Sequence, residues 1–208
     1  MEEQYLFIDF EFTMPQSKNN PVGFVQEIIE VGIVCVRNNE IYDTFSSYVQ
    51  SEKFPFITDR CKAFLQISQE DVRSGINFSE LTLLLESYEK FQSSTIVTWG
   101  NMDMKILKQN CDMHGFRFPF KGKVRDLSLE YKRFFGDRNQ TGLWKAVQEY
   151  GSEGVGKHHR AFDDAMTTYQ IFKKVESDKQ YLLKPAPPTI GDRIDFSKIL
   201  KNISISNN

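Results

Sequence analysis

A chain of 208 residues with 40% hydrophobic and 26% charged residues is large enough for one packed domain, and this composition excludes global disorder. The formal net charge of −2 argues against a protein that follows a long duplex, so any contact with nucleic acid should be short and local. No apolar run approaches the ~20 residues that span a bilayer, and no basic signal segment opens the chain, so we expect a cytoplasmic protein without membrane contact.

The first part of the chain has the pattern of an antiparallel sheet. An apolar run over residues 5–12 predicts a central strand that is buried on both faces. After a Pro- and Asn-containing loop at residues 14–23, the Ile- and Val-rich residues 26–37 predict a second strand. The Asn-Asn pair at residues 38–39 is a turn signal, and residues 40–49 predict a third strand at hairpin spacing.

The rest of the chain alternates helices with short strands. Strands are predicted at residues 94–99 and 123–125, and a flexible glycine-rich loop at residues 151–156. Apolar spacing and capping residues predict helices from residue 58 or 59 to 65, from residue 68, and over residues 77–90, 102–114, 127–135, 143–150 and 159–176. The order predicts an α/β fold: a mixed sheet, antiparallel over its first three strands and then parallel, with helices on both faces.

The predicted organisation is one domain with a tail. Residues 1–182 form the domain, and residues 183–208 form a C-terminal tail that begins near a Pro-Ala-Pro-Pro run. We expect the tail to dock partly on the domain. Its apolar residues are Ile194, Phe196, Ile199 and Leu200.

Four acidic residues in three short segments are candidate metal ligands. Asp9 and Glu11 stand two residues apart in the first strand, so they share a face and repel each other unless a cation lies between them. Asp103 follows the strand at residues 94–99, and Asp164 lies in the last helix, five residues after His159. Carboxylates gathered from distant segments indicate one site for a hard divalent cation.

Each candidate also has an ordinary structural explanation when it is considered alone. Asp103 could simply favour a helix N-terminus through the helix dipole, and Asp164 could belong to a solvated helical face. His159 could be a packed or capping histidine. Spacing alone does not distinguish His158 from His159, or Asp163 from Asp164. The combination nevertheless favours a shared site, because all of these separate explanations would have to hold at once.

Three segments of the chain resemble the exonuclease motifs of the DEDDh branch of the DnaQ-like, RNase H-fold superfamily. Asp9-Phe-Glu11-Phe-Thr13 is similar to the first motif, Trp99-Gly-Asn-Met-Asp103 to the second, and His159-x-x-x-x-Asp164 to the third. The spacing of the third motif selects His159 and Asp164 over their neighbours. The similarity extends over about residues 4–176.

Two sequence segments resemble those of a narrower group, the histone-mRNA/siRNA exonucleases and the bacterial KapD-like proteins. They are Gln26-Glu-Ile-Ile-Glu-Val-Gly32 and Phe45-Ser-Ser-Tyr-Val49. The chain departs from relatives at two points: Met102 stands where a tryptophan is common, and Phe64-Leu-Gln-Ile-Ser68 replaces Leu-Thr-Gly-Ile-Thr. The departures lie near the expected substrate rather than at a metal ligand.

The resemblance implies an RNase H-like fold and a 3′→5′ exonuclease that uses two divalent metal ions, Mg²⁺ or Mn²⁺. Asp9, Glu11, Asp103 and Asp164 would bind the metal ions, and His159 would be the general base. The implied substrate is a single-stranded 3′ end, RNA favoured over DNA, cleaved to nucleoside monophosphates.

The resemblance also implies a set of substrate contacts. Phe12 and Thr13 would hold the terminal sugar, Phe64 and Leu65 would pack on the last base, and Asn101 would complete the contacts. Backbone phosphates could meet five basic residues, Lys105, Lys108, Arg125, Lys132 and Arg133, each of which could equally be a solvated surface residue.

Two other functions stay open at the level of sequence. A KapD-like chain could act by binding a regulatory protein of the sporulation kinase pathway, with nuclease chemistry incidental. The same fold could also serve a small-dinucleotide phosphodiesterase.

Overall fold

The computed structural model describes residues 3–17, 22–89 and 94–184. Two compact units are distinguished, residues 1–173 and residues 174–208. The predicted docking of the tail concerns apolar positions that lie outside the described residues. Within the described ranges, no helix combines the length and the apolar character needed to cross a membrane.

A five-stranded mixed sheet forms the centre of the first unit. Its strands are β1 (Gln4–Phe12), β2 (Ile28–Arg37), β3 (Glu40–Tyr48), β4 (Thr95–Thr98) and β5 (Val124–Asp126), in the spatial order β3-β2-β1-β4-β5. β1, β2 and β3 pair antiparallel, whereas β4 and β5 continue the sheet in parallel with β1. This confirms the predicted α/β mixed sheet. The turn between β2 and β3 is tight, because Asn38 and Asn39 both adopt left-handed backbone with φ of 51° and 65°.

Seven helices connect and cover the strands in the described part of the chain. They are α1 (Asp59–Leu65), α2 (Gln69–Ser74), α3 (Phe78–Tyr88), α4 (Met102–His114), α5 (Leu127–Phe135), α6 (Leu143–Glu149) and α7 (Ala161–Leu183). Thr58, Ser68 and Asn77 cap the first three with their side chains. The structure thereby selects Thr58 over Asp59 as the first cap and confirms Ser68 as the start of the second helix. The predicted last helix, 159–176, was wrong at both ends. It starts later because His159 has a left-handed φ of 60°, and it continues because Pro185 is the first strong helix breaker.

Helices cover both faces of the sheet. Leu6 and Ile8 of β1 join a buried cluster with residues of α3 and α4 on one face. Phe7 points to the opposite face, where its ring lies 5.0 Å from Tyr169 and 5.1 Å from Phe172 of α7, measured between centroids. Asp9 and Glu11 share the face of Phe7, because side chains alternate along a strand. The two acids therefore point towards the layer that contains α7.

Gly32 allows the start of α7 to approach the sheet beside Asp9. It pairs with Asp9 across the β1–β2 ladder. A Cβ at Gly32 would lie 2.2 Å from the carbonyl carbon of Ala161, so any side chain would push the helix away. Arg160 fixes the same approach: its Nε donates to Glu30 Oε1 at 3.0 Å, and Glu30 is buried in β2.

Candidate active site

β1, the central strand, brings two carboxylates to the place where the sheet changes from antiparallel to parallel pairing. Asp9 is partly buried and Glu11 is 9% exposed. β4 pairs with β1 only along Tyr5–Phe7, so the end of β1 that carries both acids extends beyond its parallel neighbour. Such a switch point, outside the carboxyl ends of parallel strands, is the usual ligand site of an open α/β sheet.

Asp103 enters this crevice from the first turn of α4. It is 5% exposed, and its Oδ1 accepts a hydrogen bond from the backbone N–H of Phe10 at 3.0 Å. The bond satisfies a β1 donor that lies past the end of the β4 pairing. Asp103 is thus tied directly to the segment between Asp9 and Glu11.

Asp164 and His159 approach from the start of α7. Asp164 is 8% exposed; its Oδ1 accepts from the indole Nε1 of Trp144 at 2.6 Å, and its Oδ2 accepts from the backbone N–H of His159 at 3.2 Å. One ligand atom from each of Glu11, His159 and Asp164 lies within 4.8 Å of the other two. The structure therefore brings together residues that are more than 140 positions apart in the chain.

The neighbouring candidates left open by spacing occupy other positions. His158 stacks on Trp144, with ring centroids 3.6 Å apart and an interplanar angle of 18°. Asp163 accepts a hydrogen bond from the backbone N–H of Lys157 at 2.8 Å and so holds the loop that precedes α7. His159 and Asp164, the pair that the motif spacing selects, are thus the two that lie beside Glu11.

Burial raises the pKa of all four carboxyls and is the largest cause for each of them. Repulsion from neighbouring acids adds to the rise for Asp9, Glu11 and Asp103. The pKa of Glu11 rises to about 8 and that of Asp103 to about 7, while that of Asp9 lies well above its ordinary value. The pKa of Asp164 is also raised, although two donated hydrogen bonds oppose the shift.

This arrangement fits a divalent cation. Four carboxylates with raised pKa values repel one another when ionised, and a bound cation relieves that repulsion. The donors are carboxylate oxygens, the hard ligands that suit Mg²⁺ or Mn²⁺. Asp9, Glu11, Asp103 and Asp164 are the side chains that would hold such ions.

The predicted substrate contacts differ in how far their side chains are exposed. Phe64 is 49% exposed and its ring centroid lies 4.3 Å from that of His159, whereas Leu65 is 2% exposed. Phe12 is partly buried, and Thr13 is 2% exposed with its Oγ1 accepting from the backbone N–H of Glu27 at 2.9 Å. Phe64 is thus the most accessible of the four.

The remaining polar candidates lie further out. Asn101 is exposed immediately before α4, and Lys105, Lys108 and Arg133 are also exposed. Arg125 makes a double hydrogen bond with Glu130, at 2.8 and 2.6 Å, so contact with a phosphate would have to compete with that carboxylate. Lys132 is partly buried in the last turn of α5.

Sequence reasoning missed three residues that shape the site: Trp144, Glu30 and Arg160. Glu30 and Gly32 stand in the phrase that resembles the narrower group, so their positions were available, but their contacts depend on the approach of α7. Trp144 carried no local signal, because the sequence does not show which side chain of α6 faces Asp164 of α7.

Comparison with known proteins adds independent information about the chain. The family model described as Exonuclease (RNase_T) matches residues 6–172. The Bacillus subtilis (strain 168) protein named "Probable 3'-5' exonuclease KapD" is 59% identical over 196 residues, which cover 94% of this chain and 96% of that protein.

More distant relatives point to the same activity class. The Homo sapiens protein "3'-5' exoribonuclease 1" is 29% identical over 182 residues, covering 82% of this chain but only 52% of the human protein. A crystal structure of the nuclease domain of 3'hExo, a DEDDh family member bound to rAMP, is similar with a TM-score of 0.75 and 27% identity. That similarity covers 85% of this chain and 93% of the solved one.

Proposed function

The chain belongs to the RNase_T exonuclease family as a 3′→5′ exonuclease of the DEDDh type, and we propose that it hydrolyses single-stranded RNA or short oligonucleotides to nucleoside monophosphates with two divalent metal ions, Mg²⁺ or Mn²⁺. One observation carries the proposal. Carboxylates from β1, α4 and α7 lie close enough for repulsion to raise the pKa of Asp9, Glu11 and Asp103, with His159 beside them. A purely structural role would not explain why these acids gather at a buried crevice where fewer basic side chains than acids are available to pair with them.

Each residue has a distinct role in the proposed reaction. Bound ions would supply an activated water and would relieve negative charge on the phosphoryl oxygens. The four carboxylates of Asp9, Glu11, Asp103 and Asp164 would bind these ions and hold them in place. Their burial excludes bulk water from the reacting bond. His159 takes the proton of the attacking water, because imidazole is the side chain best suited to proton abstraction near neutral pH.

The backbone around His159 suits this task. Its N–H is fixed on Asp164, while its ring rests against Phe64. The preceding loop turns at Gly151 and Gly156, both with φ of 62°, and we propose that His159 closes over a bound 3′ end. We propose that Phe64 and Leu65 meet the last base and that Phe12, Thr13 and Asn101 meet the terminal nucleotide.

RNA is the favoured substrate because two of the comparisons concern ribonucleotides. The human relative is named an exoribonuclease, and the 3'hExo structure contains a ribonucleoside monophosphate. The product class of the proposal, a nucleoside monophosphate, matches that bound ligand in kind.

A nuclease assay tests the proposal. RNA and DNA oligonucleotides labelled at either the 5′ or the 3′ end are incubated with Mg²⁺ or Mn²⁺, with chelator as control. We expect stepwise shortening from the 3′ end that needs metal and is faster on RNA. Asp9→Ala and Asp164→Ala should abolish it without unfolding the protein, whereas Asp163→Asn, next to the ligand but outside the cluster, should retain it. Cleavage in chelator, or wild-type rates for Asp9→Ala, would contradict the mechanism.

The two alternative functions can be separated from this one. Faster turnover of dinucleotides than of longer RNA would favour the small-dinucleotide phosphodiesterase. A regulatory protein of the sporulation kinase pathway remains a predicted partner, implied by the resemblance of the sequence motifs to KapD-like proteins. If the Asp9→Ala variant still produced a cellular effect on sporulation, binding rather than hydrolysis would carry that role.

A further inference from the structure

Trp144 contacts the carboxylate cluster from outside the three sequence motifs. It is the second residue of α6, and its indole Nε1 donates to Asp164 Oδ1 at 2.6 Å. The other oxygen of Asp164 accepts from the backbone of His159 at 3.2 Å. Since both oxygens are held and the side chain is 8% exposed, the carboxylate is fixed in one orientation.

The ring of Trp144 also joins two neighbouring segments. One of its faces stacks on His158, whose centroid is 3.6 Å away. A Cβ at Gly154 would lie 2.4 Å from the indole Cζ3, so the glycine-rich loop passes directly against the ring at a point where only glycine fits. The indole therefore connects Asp164 with the loop that leads to His159.

We propose that Trp144 is a positioning residue that holds Asp164 ready to bind the divalent cation. An indole N–H only donates and cannot bind a cation itself, so its effect must pass through the carboxylate. The proposal rests on the proposed function, because it takes Asp164 as a metal ligand. Loss of a hydrogen bond that orients a metal ligand typically weakens metal affinity 10- to 100-fold.

Trp99 provides a matched control for the loss of an indole donor. Its Nε1 donates to the backbone carbonyl of Thr141 at 3.0 Å, and its ring contacts Tyr131 at 5.6 Å between centroids. Like Trp144, it donates from its indole and contacts an aromatic ring, but its acceptor is a neutral carbonyl and neither partner binds metal. Phenylalanine at either position keeps an aromatic ring and removes the donor together with the second ring of the indole, so the loss of volume is the same in both variants.

Calorimetric titration of the metal-free full chain with Mn²⁺ tests the proposal without relying on activity. We expect Trp144→Phe to raise the dissociation constant for Mn²⁺ by about 10- to 100-fold, and Trp99→Phe to change it by less than about threefold. Nuclease rates of Trp144→Phe should recover as Mn²⁺ is raised, because a misoriented ligand can be compensated by metal concentration. A merely structural defect would lower the rate at every metal concentration.

Tryptophan fluorescence gives a second readout, since these are the two tryptophans of the chain. In Trp99→Phe only Trp144 emits, and Mg²⁺ should change its emission because the charge of its acceptor carboxylate is neutralised. In Trp144→Phe only Trp99 emits, and Mg²⁺ should leave it unchanged. Mg²⁺ is the better probe here because paramagnetic Mn²⁺ quenches by proximity alone.

The possible outcomes distinguish this inference from the proposed function. Wild-type Mn²⁺ affinity in Trp144→Phe, or equal weakening in both variants, would overturn the positioning role and leave the exonuclease proposal intact. Absence of Mn²⁺ binding by the wild-type protein would overturn both. Weaker binding confined to Trp144→Phe, with rescue by excess Mn²⁺, is the expected result.

Discussion

Replacing Glu11 by glutamine should stabilise the metal-free protein while it removes nuclease activity. The pKa of this carboxyl is raised from 4.5 to about 8, first by burial and then by repulsion from Asp164 and other acids. Between these two pH values the folded state binds more protons than the unfolded state. Stability therefore falls as pH rises through this window, and the penalty is complete above it.

The size of this penalty follows from the shift. One pKa unit corresponds to about 1.4 kcal/mol, so the interval from pH 4.5 to 7 amounts to roughly 3 kcal/mol as an upper limit. Glutamine has nearly the same shape but cannot ionise, so it should recover roughly 1–3 kcal/mol at pH 7. Below about pH 4.5 the two proteins should be equally stable, because the wild-type carboxyl is then protonated in both states.

Urea unfolding between pH 4.5 and 8.5 in chelator measures the effect. The stability difference between Glu11→Gln and wild type should grow with pH, whereas the exposed Glu86→Gln should track wild type throughout. Saturating Mn²⁺ should reverse the order, because the wild type gains binding energy that the variant has lost. A wild-type protein that is more stable than Glu11→Gln in chelator at pH 7–8 would refute the reasoning about this cluster.

Three further predictions concern the surroundings of the site. His159→Ala should lower kcat by about 10²- to 10⁴-fold, while its Mn²⁺ affinity, measured by calorimetry, should be retained. His158→Ala is the control, and loss of Mn²⁺ binding in His159→Ala would instead make His159 a ligand. Arg160→Met leaves the buried Glu30 without its ion-pair partner, so it should lower the free energy of unfolding in urea by about 3–5 kcal/mol. Adding Glu30→Gln should restore most of that stability, and failure of this rescue would contradict the pairing. Gln66 has a left-handed φ of 53° after α1, so Gln66→Gly should raise stability by about 1 kcal/mol; an unchanged or lower stability would show that its side chain compensates for the strain.

Much of the fold could be predicted because its signals are local. The Asn-Asn turn, the capping residues Thr58, Ser68 and Asn77, and the apolar run around Asp9 each depend on a few neighbouring residues. The pairing of Asp9 with Glu11 on one face follows from strand alternation alone. These signals place the sheet, most helices and the first half of the carboxylate cluster.

The rest depended on contacts between distant segments. Trp144 of α6 contacts Asp164 of α7 through a side-chain orientation that the sequence does not show, and Glu30 meets Arg160 across 130 positions of the chain. The left-handed backbone of His159, which delayed the start of α7, has no signature in its residue type. Gln66 shows the converse: it stands at the glycine position of the motif that this segment resembles, and its backbone has the left-handed φ of 53° that favours glycine.

The most direct test of the proposed chemistry is a crystal structure of the protein soaked with Mn²⁺ and a nucleoside monophosphate, read from anomalous scattering. Two Mn²⁺ peaks between the carboxylates of Asp9, Glu11, Asp103 and Asp164, separated by about 3.5–4 Å, are the predicted result. Carboxylates that turn away from one another, with no anomalous peak among them at saturating Mn²⁺, would contradict the account.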